Sequence, residues 1–164
     1  MIFVSVGTHE APFDRLLHAV DDLELEEQIV VQHGPSRVRS DRALEAESLS
    51  FDEVVGYIRE ARAVVMHAGV GSMMIALTNG KRPIVMPRLR RFGEHVDDHQ
   101  LELARRLEAN GLVTVVDGPE ALAKALDGDS EPAGQIKDAP WLGDDLGEYL
   151  AQHIGAAAPA PSQT

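Results

Sequence analysis

The sequence contains no cysteine. Disulfides, thiolate metal sites and thiol chemistry are therefore excluded. It also lacks any run approaching the ~18 consecutive apolar residues of a membrane span. No charged leader with a small-residue cleavage site precedes Met1–Val6, which opens directly into a β-like run. A cytoplasmic protein is expected. Basic residues are few: 15 Lys and Arg stand against 27 Asp and Glu, for a net charge of −12. Such a balance disfavours a nucleic-acid-binding surface. The exception is Lys81 to Arg91, with five basic residues (Lys81, Arg82, Arg88, Arg90, Arg91) and no acid. Removing those five charges leaves −17 on the rest, so this stretch is where an anion or an acidic partner would be tolerated.

The length of 164 residues favours one domain with a core that needs no covalent staples. Short apolar runs alternate with amphipathic segments. Strands are predicted over Ile2–Val6, Gln28–Gln32, Ala43–Leu49, Ala63–Met66, Pro83–Met86 and Leu112–Val116. Helices are predicted from Phe13 to Val20, behind a capping box at Ser50–Glu53, over Met73–Asn79, Asp97–Asn110 and Pro119–Leu126. Strand–helix alternation of this kind predicts an α/β, Rossmann-like, doubly wound and mostly parallel six-stranded sheet over residues 1–127. An extension over 128–154 carries a candidate docking helix at Trp141–Ile154, and 155–164 (Ala, Pro, Ser) reads as a disordered tail.

Ligands in such sheets bind beyond the carboxyl ends of the strands. Two turns there are rich in glycine: Gly7-Thr8-His9 and His67-Ala68-Gly69-Val70-Gly71-Ser72. In the second, glycines admit close approach, the helix start offers free N–H groups, and Ser72 and His67 add polar atoms. These are the parts of a phosphate cradle. A tight strand-to-helix turn needs glycine in any case, so the structural reading stands beside the ligand-binding one. The dinucleotide fingerprint is incomplete, with Met74 at its third glycine, and no P-loop Gly-Lys-Ser/Thr occurs.

The stretch Gly93-Glu94-His95-Val96-Asp97-Asp98-His99-Gln100 admits two readings, a metal site or a polar helix start facing a ligand. The second is preferred, because Asp97 and Asp98 do ordinary work at a helix N-terminus and Gln100 suits sugar hydroxyls. The loop Arg88-Leu89-Arg90-Arg91 reads either as solvated surface or as an anion- or partner-contacting patch. No catalytic triad spacing is present, and no residue stands out as a general base.

Taken in order, Val6-Gly7-Thr8-His9 with Pro12-Phe13-Asp14, His67-Ala68-Gly69 with Gly71-Ser72, Gly80-Lys81 with Pro83-Ile84-Val85, and the stretch 93–100 resemble the C-terminal domain of glycosyltransferase family 28. The likeness covers about residues 1–127. It is nearest to free-standing bacterial subunits of the PssE type, and is similar to the donor-binding subunit of the two-part dolichol-linked GlcNAc transferase and to the MurG C-terminal domain. The resemblance implies one half of a GT-B fold, binding a UDP-sugar as substrate with no further cofactor and no metal. It implies a membrane-anchored, acceptor-binding partner of the PssD type that usually supplies the catalytic base and recruits this chain to the membrane.

Position by position, Gly7 and Thr8 match the loop near the diphosphate, and Phe51 falls where relatives hold the uracil. His67, Gly69, Gly71 and Ser72 match the loop and helix start at ribose and phosphates, and His99 and Gln100 match the pair at the donor sugar. One position departs: many relatives with a complete GT-B fold carry a ribose-binding Glu where Ile75 stands here. Losing that bond costs about 1.5–3 kcal/mol. Two other functions remain open at this point. One is a non-catalytic interaction module with a degenerate donor site; the other is a stand-alone soluble transferase or epimerase.

Overall fold

The computed structural model describes residues 1–23 and 25–128. The helix expected over Trp141–Ile154 and the tail lie outside the described residues. Among those residues the chain forms β1 (Ile2–Ser5), α1 (Asp14–Asp21), β2 (Ile29–Gln32), β3 (Ala43–Ala46), α2 (Phe51–Glu60), β4 (Ala63–His67), α3 (Val70–Thr78), β5 (Ile84–Met86), a short 3-10 turn (Arg90–Phe92), α4 (His99–Ala109), β6 (Thr114–Val115) and α5 (Pro119–Asp127). The six strands make one sheet in the order β3-β2-β1-β4-β5-β6, and every pairing is parallel.

The strand sequences dictate this arrangement. Every residue of β1, β2, β4 and β5 is buried, as parallel strands covered on both faces must be. β3, with the poorer strand sequence Ala-Leu-Glu-Ala, is only half-buried and takes the edge. On α1, Leu16, Leu17, Ala19 and Val20 pack down onto the sheet with Phe13, Val4, Val31 and Val65 in the main core. The capping box at the start of α2 forms as the sequence predicts: the Glu53 N–H donates to Ser50 Oγ (3.3 Å) and the Ser50 N–H to the Glu53 carboxylate (2.8 Å).

Two element starts differ from expectation. α3 begins at Val70, so Gly71 and Ser72 belong to its first turn. α4 begins at His99 and not at Asp97. The Asp97 carboxylate accepts the His99 N–H (3.1 Å) and that of Asp98 accepts the Arg90 N–H (2.8 Å). These bonds hold 93–98 in an irregular path in competition with helix.

The order 3-2-1-4-5-6 places its switch point between β1 and β4. From β1 the chain winds outward to β2 and β3, then returns to the other side of β1. The loops leaving β1 and β4 thus diverge and open a crevice at the carboxyl edge.

Candidate functional site

A cleft of about 550 Å³ fills that crevice. Its floor is Ser5, Met66 and His67; Gly7, Thr8 and His9 form one wall, and Gly69, Gly71, Ser72 and Ile75 another. Gln32, Phe51 and Gln100 line it from β2, α2 and α4.

His67 organises the two glycine turns. The last residue of β4, it is 9% exposed, and its ring lies between Gly7 and Gly69. A Cβ on Gly7 would stand 2.3 Å from Nε2, and one on Gly69 would stand 2.1 Å from Cε1. Gly7 also has φ of 78°, a left-handed value that favours glycine. The Gly69 N–H donates to His67 Nδ1 (3.0 Å), which makes Nδ1 the acceptor and puts the proton on Nε2. Nε2–H then donates to Ser72 Oγ at 3.0 Å, so the serine hydroxyl proton points away from the ring. Burial, followed by the nearby Arg88 guanidinium and the His9 and His95 rings, pushes His67 down to about 4. At neutral pH the ring is an uncharged relay. Beyond it, the first turn of α3 presents backbone N–H groups and a partial positive charge of roughly half a unit.

Behind the β1 loop, Ser5 Oγ donates to Gln32 Oε1 (2.7 Å) and accepts the Gly7 N–H (3.2 Å), fixing the turn. At the far wall, Gln100 Oε1 accepts the Arg88 N–H (3.2 Å), which turns the amide NH2 outward as a donor. Phe51, 65% exposed, stands on the rim as an apolar face.

Of the residues that the sequence places at a ligand, Gly7, Thr8, Phe51, His67, Gly69, Gly71, Ser72 and Gln100 line this one cleft. His99 does not. Adjacent residues on a helix point about 100° apart, and His99 faces a separate surface hollow with Asp98, Glu102, Arg105 and Arg106. Ile75, at the position of the acid in many relatives, does face the cleft.

The basic stretch 81–91 does not form one surface patch. Arg88 is fully buried and lies on no surface loop. Its guanidinium stacks on Phe13 (4.6 Å) and donates to the carbonyls of Val6 (3.0 Å), Ala11 (2.9 Å), Pro12 (3.3 Å) and Glu94 (3.3 Å). It ties the β1 loop to the β5 loop and does not line the cleft; its Nε–H, buried as well, has no hydrogen-bond partner. Lys81 and Arg82 donate to the carbonyls of Ala61 and Val113. Of the five, only Arg90 and Arg91 are exposed, and neither lines the cleft. Arg91 covers the Phe92 ring at 4.7 Å, and Arg15 covers it at 5.0 Å.

Three features carry no local signal in the sequence. Glu94, which is 5% exposed, takes a bidentate bond from Arg15 (both 2.9 Å) and accepts the Leu89 N–H (2.9 Å). The rings of His9, which lines the cleft, and His95 lie tilted against each other with centroids 5.2 Å apart. The His95 Nδ1 lies 3.0 Å from the Asp97 carboxylate. Among the described residues no group of three or more His, Asp or Glu has metal-binding geometry.

The profile of the glycosyltransferase family 28 C-terminal domain matches residues 1–138. The chain belongs to this family. One curated relative, the UDP-N-acetylglucosamine transferase subunit ALG13 of Yarrowia lipolytica, is 38% identical over 56 residues, which are 34% of this chain and 26% of that protein. Among solved structures, the glycosyltransferase SnogD from Streptomyces nogalater superposes with a TM-score of 0.55 at 18% identity, covering 77% of this chain and 34% of that one. The calicheamicin glycosyltransferase CalG4 gives 0.55 at 16%, covering 92% and 43%. The chain thus spans about a quarter of the curated relative and roughly a third to two fifths of the solved transferases. At these identities the structural likeness concerns the fold: a family 28 domain with the Rossmann-like architecture seen in part of those transferases.

Proposed function

We propose that this family 28 domain is the donor-binding part of a glycosyltransferase. It holds a UDP-sugar in the cleft between the β1 and β4 loops and acts with a second, acceptor-binding partner. The observation that carries the reading is the convergence of eight residues from four separate segments on one cleft at the switch point. The chemistry of that wall suits a nucleotide diphosphate. The α3 N-terminus and the Ser72 hydroxyl face the phosphates, Phe51 offers an apolar face to the base, and the Gln100 amide donates to a sugar hydroxyl.

In this reading a hexosyl or glycuronosyl group passes to a lipid-linked acceptor in polysaccharide synthesis. The acceptor sits on a membrane-anchored subunit of the PssD type, which brings the chain to the inner membrane face. The ALG13 relative is itself named as a subunit, which supports the two-part arrangement. Among the described residues no helix is long and apolar enough to cross a membrane. In the partnered enzyme the acceptor hydroxyl attacks the anomeric carbon, its proton passing to a base on the partner subunit, and the bond from that carbon to the diphosphate oxygen breaks. The electron pair leaves with the UDP, whose growing charge faces the α3 N-terminus.

Calorimetry of UDP into the chain tests the reading. Saturable binding that Ser72→Ala weakens is expected, with sugar transfer only when the partner subunit is present. No binding by the chain would refute it. The second reading, an interaction module with a degenerate site, is favoured by Ile75 on the cleft wall. It predicts unchanged polymer synthesis in cells carrying Ser72→Ala or Gln100→Ala.

A further inference from the structure

The cleft changes character from its loops to its helices. At the loops it offers polar atoms: the Thr8 side chain, the His67 ring and the Ser72 hydroxyl in the first turn of α3. Toward α2 and α3 its lining is Leu49, Phe51, Val54, Ile58, Met66 and Ile75, all apolar. Among the described residues no Asp, Glu, Lys or Arg lines it. The polar floor is closed on itself. Ser5 and Gln32 are buried, and Ser5 Oγ donates to Gln32 Oε1 at 2.7 Å while accepting the Gly7 N–H at 3.2 Å.

Residues three or four positions apart share one face of a helix. α2 therefore presents Phe51, Val54 and Ile58 to the cleft as one row, and α3 presents Ser72 followed by Ile75 one turn on. A nucleotide with its base on Phe51 and its phosphates at Ser72 spans from one helix to the other, so its pentose crosses Val54 and Ile75. Neither side chain can accept a hydrogen bond from a pentose hydroxyl. The backbone carbonyls at the two helix starts are engaged inside their own helices: that of Ser50 accepts the Val54 N–H at 3.0 Å, and that of Gly69 accepts the Met73 N–H at 3.0 Å.

We propose that the cleft does not read the 2′-hydroxyl of its nucleotide, and that Ile75 is the residue that sets this tolerance. Its ligands are then the diphosphate sugars of ribonucleosides and of 2′-deoxyribonucleosides alike. The inference rests on the nucleotide-sugar reading and adds to it the class of donor that the site admits.

A hydroxyl set against Val54 and Ile75 gains no bond from the protein in exchange for the water it loses, and one that still faces solvent keeps its water. In neither case does removing the hydroxyl weaken binding. An acid at position 75 reverses this. From the same face of α3 its carboxylate accepts the hydrogen bond of the hydroxyl, and a bond to a charged group is worth about tenfold or more in affinity. Ile75 is only half-buried, so a carboxylate placed there keeps contact with water and stays ionised at neutral pH.

The test is calorimetry of UDP and of 2′-deoxy-UDP, which differ by a single oxygen, into the full chain. The wild type should bind the deoxynucleotide as tightly as UDP to within about threefold, or more tightly. Ile75→Glu should separate the two by about tenfold or more in favour of UDP. Ile75→Gln, with a neutral acceptor of the same reach, should separate them in the same direction by less, and it carries the comparison if the acid variant does not fold. A loss of more than about threefold for the deoxynucleotide in the wild type overturns the inference and leaves the donor reading standing. So does equal binding of the two nucleotides by a folded variant at position 75, which would put the pentose elsewhere in the cleft. Failure of UDP and 2′-deoxy-UDP alike to bind the wild type overturns the donor reading and the inference with it.

Discussion

Gly69→Ala isolates the contact on which the cleft is built. The Gly69 backbone (φ −75°, ψ 134°) is open to any residue, so alanine meets no backbone strain there. The obstacle is the His67 ring, whose Cε1 and Nδ1 would lie 2.1 and 2.7 Å from the new methyl. The ring has little room to retreat, because its other side lies so close to Gly7 that a Cβ there would stand only 2.3 Å from Nε2. Overpacking of this kind costs about 1–3 kcal/mol. If the ring swings out, the Gly69 N–H loses its acceptor at a further cost of about 1 kcal/mol. His67→Ala alone leaves a void and the same orphaned N–H, for about 2–4 kcal/mol. In the double variant the methyl added at position 69 occupies space the ring has vacated, so its cost should be close to that of His67→Ala alone. The coupling between the two sites is then about 2–3 kcal/mol in favour of the pair. Urea unfolding of the four proteins measures it. Costs that add within about 0.5 kcal/mol would refute the wedge. Gly7→Ala is the control: its φ of 78° leaves strain that removing His67 does not relieve.

Other consequences follow from the same geometry. Because His67 stays neutral down to about 4 while an unfolded histidine titrates near its ordinary 6.5, the unfolded chain binds the extra proton between those values. Stability should fall as pH drops through that window, by about 3 kcal/mol more in the wild type than in His67→Asn, as read from urea melts at both ends. Arg88→Ala should cost about 3–5 kcal/mol, because it orphans buried carbonyls at once, whereas Arg90→Ala and Arg91→Ala should stay within about 0.5 kcal/mol in thermal unfolding. Under the donor reading, Ile75→Glu places an acid on the cleft wall and should tighten UDP binding about tenfold or more by calorimetry; unchanged affinity would mean that the ribose lies elsewhere.

The sheet was legible because buried parallel strands announce themselves as short Val/Ile-rich runs such as Ile2–Val6 and Ala63–Met66, and glycines mark the turns after them. The cleft was legible for a related reason: Gly69, Gly71 and Ser72 have the composition of a helix start that backbone or ligand must approach. What the glycines approach was not legible. The His67 ring joins Gly7 to Gly69 across a strand pairing, and no local pattern records that. Arg88 was misread because composition counts a charge without its direction. A basic residue just past a strand end can point to solvent or, as here, turn inward onto Phe13. The split of His99 from Gln100 follows from helix geometry once the start of α4 is known, and that start depends on where the Asp97 and Asp98 side chains bond. The His9–His95 ring contact joins two distant loops and is visible only in the fold.

The central claim is that the cleft between the β1 and β4 loops is a nucleotide-sugar site. Backbone amide NMR during a UDP titration addresses it most directly. Shifts should concentrate at Gly7 and Thr8, at Gly69 to Ser72 and at Gln100, with Arg90 and Arg91 unmoved and the response lost in Ser72→Ala. Shifts confined to the α4 surface around His99 and Arg105, or none at saturating UDP, would contradict the account.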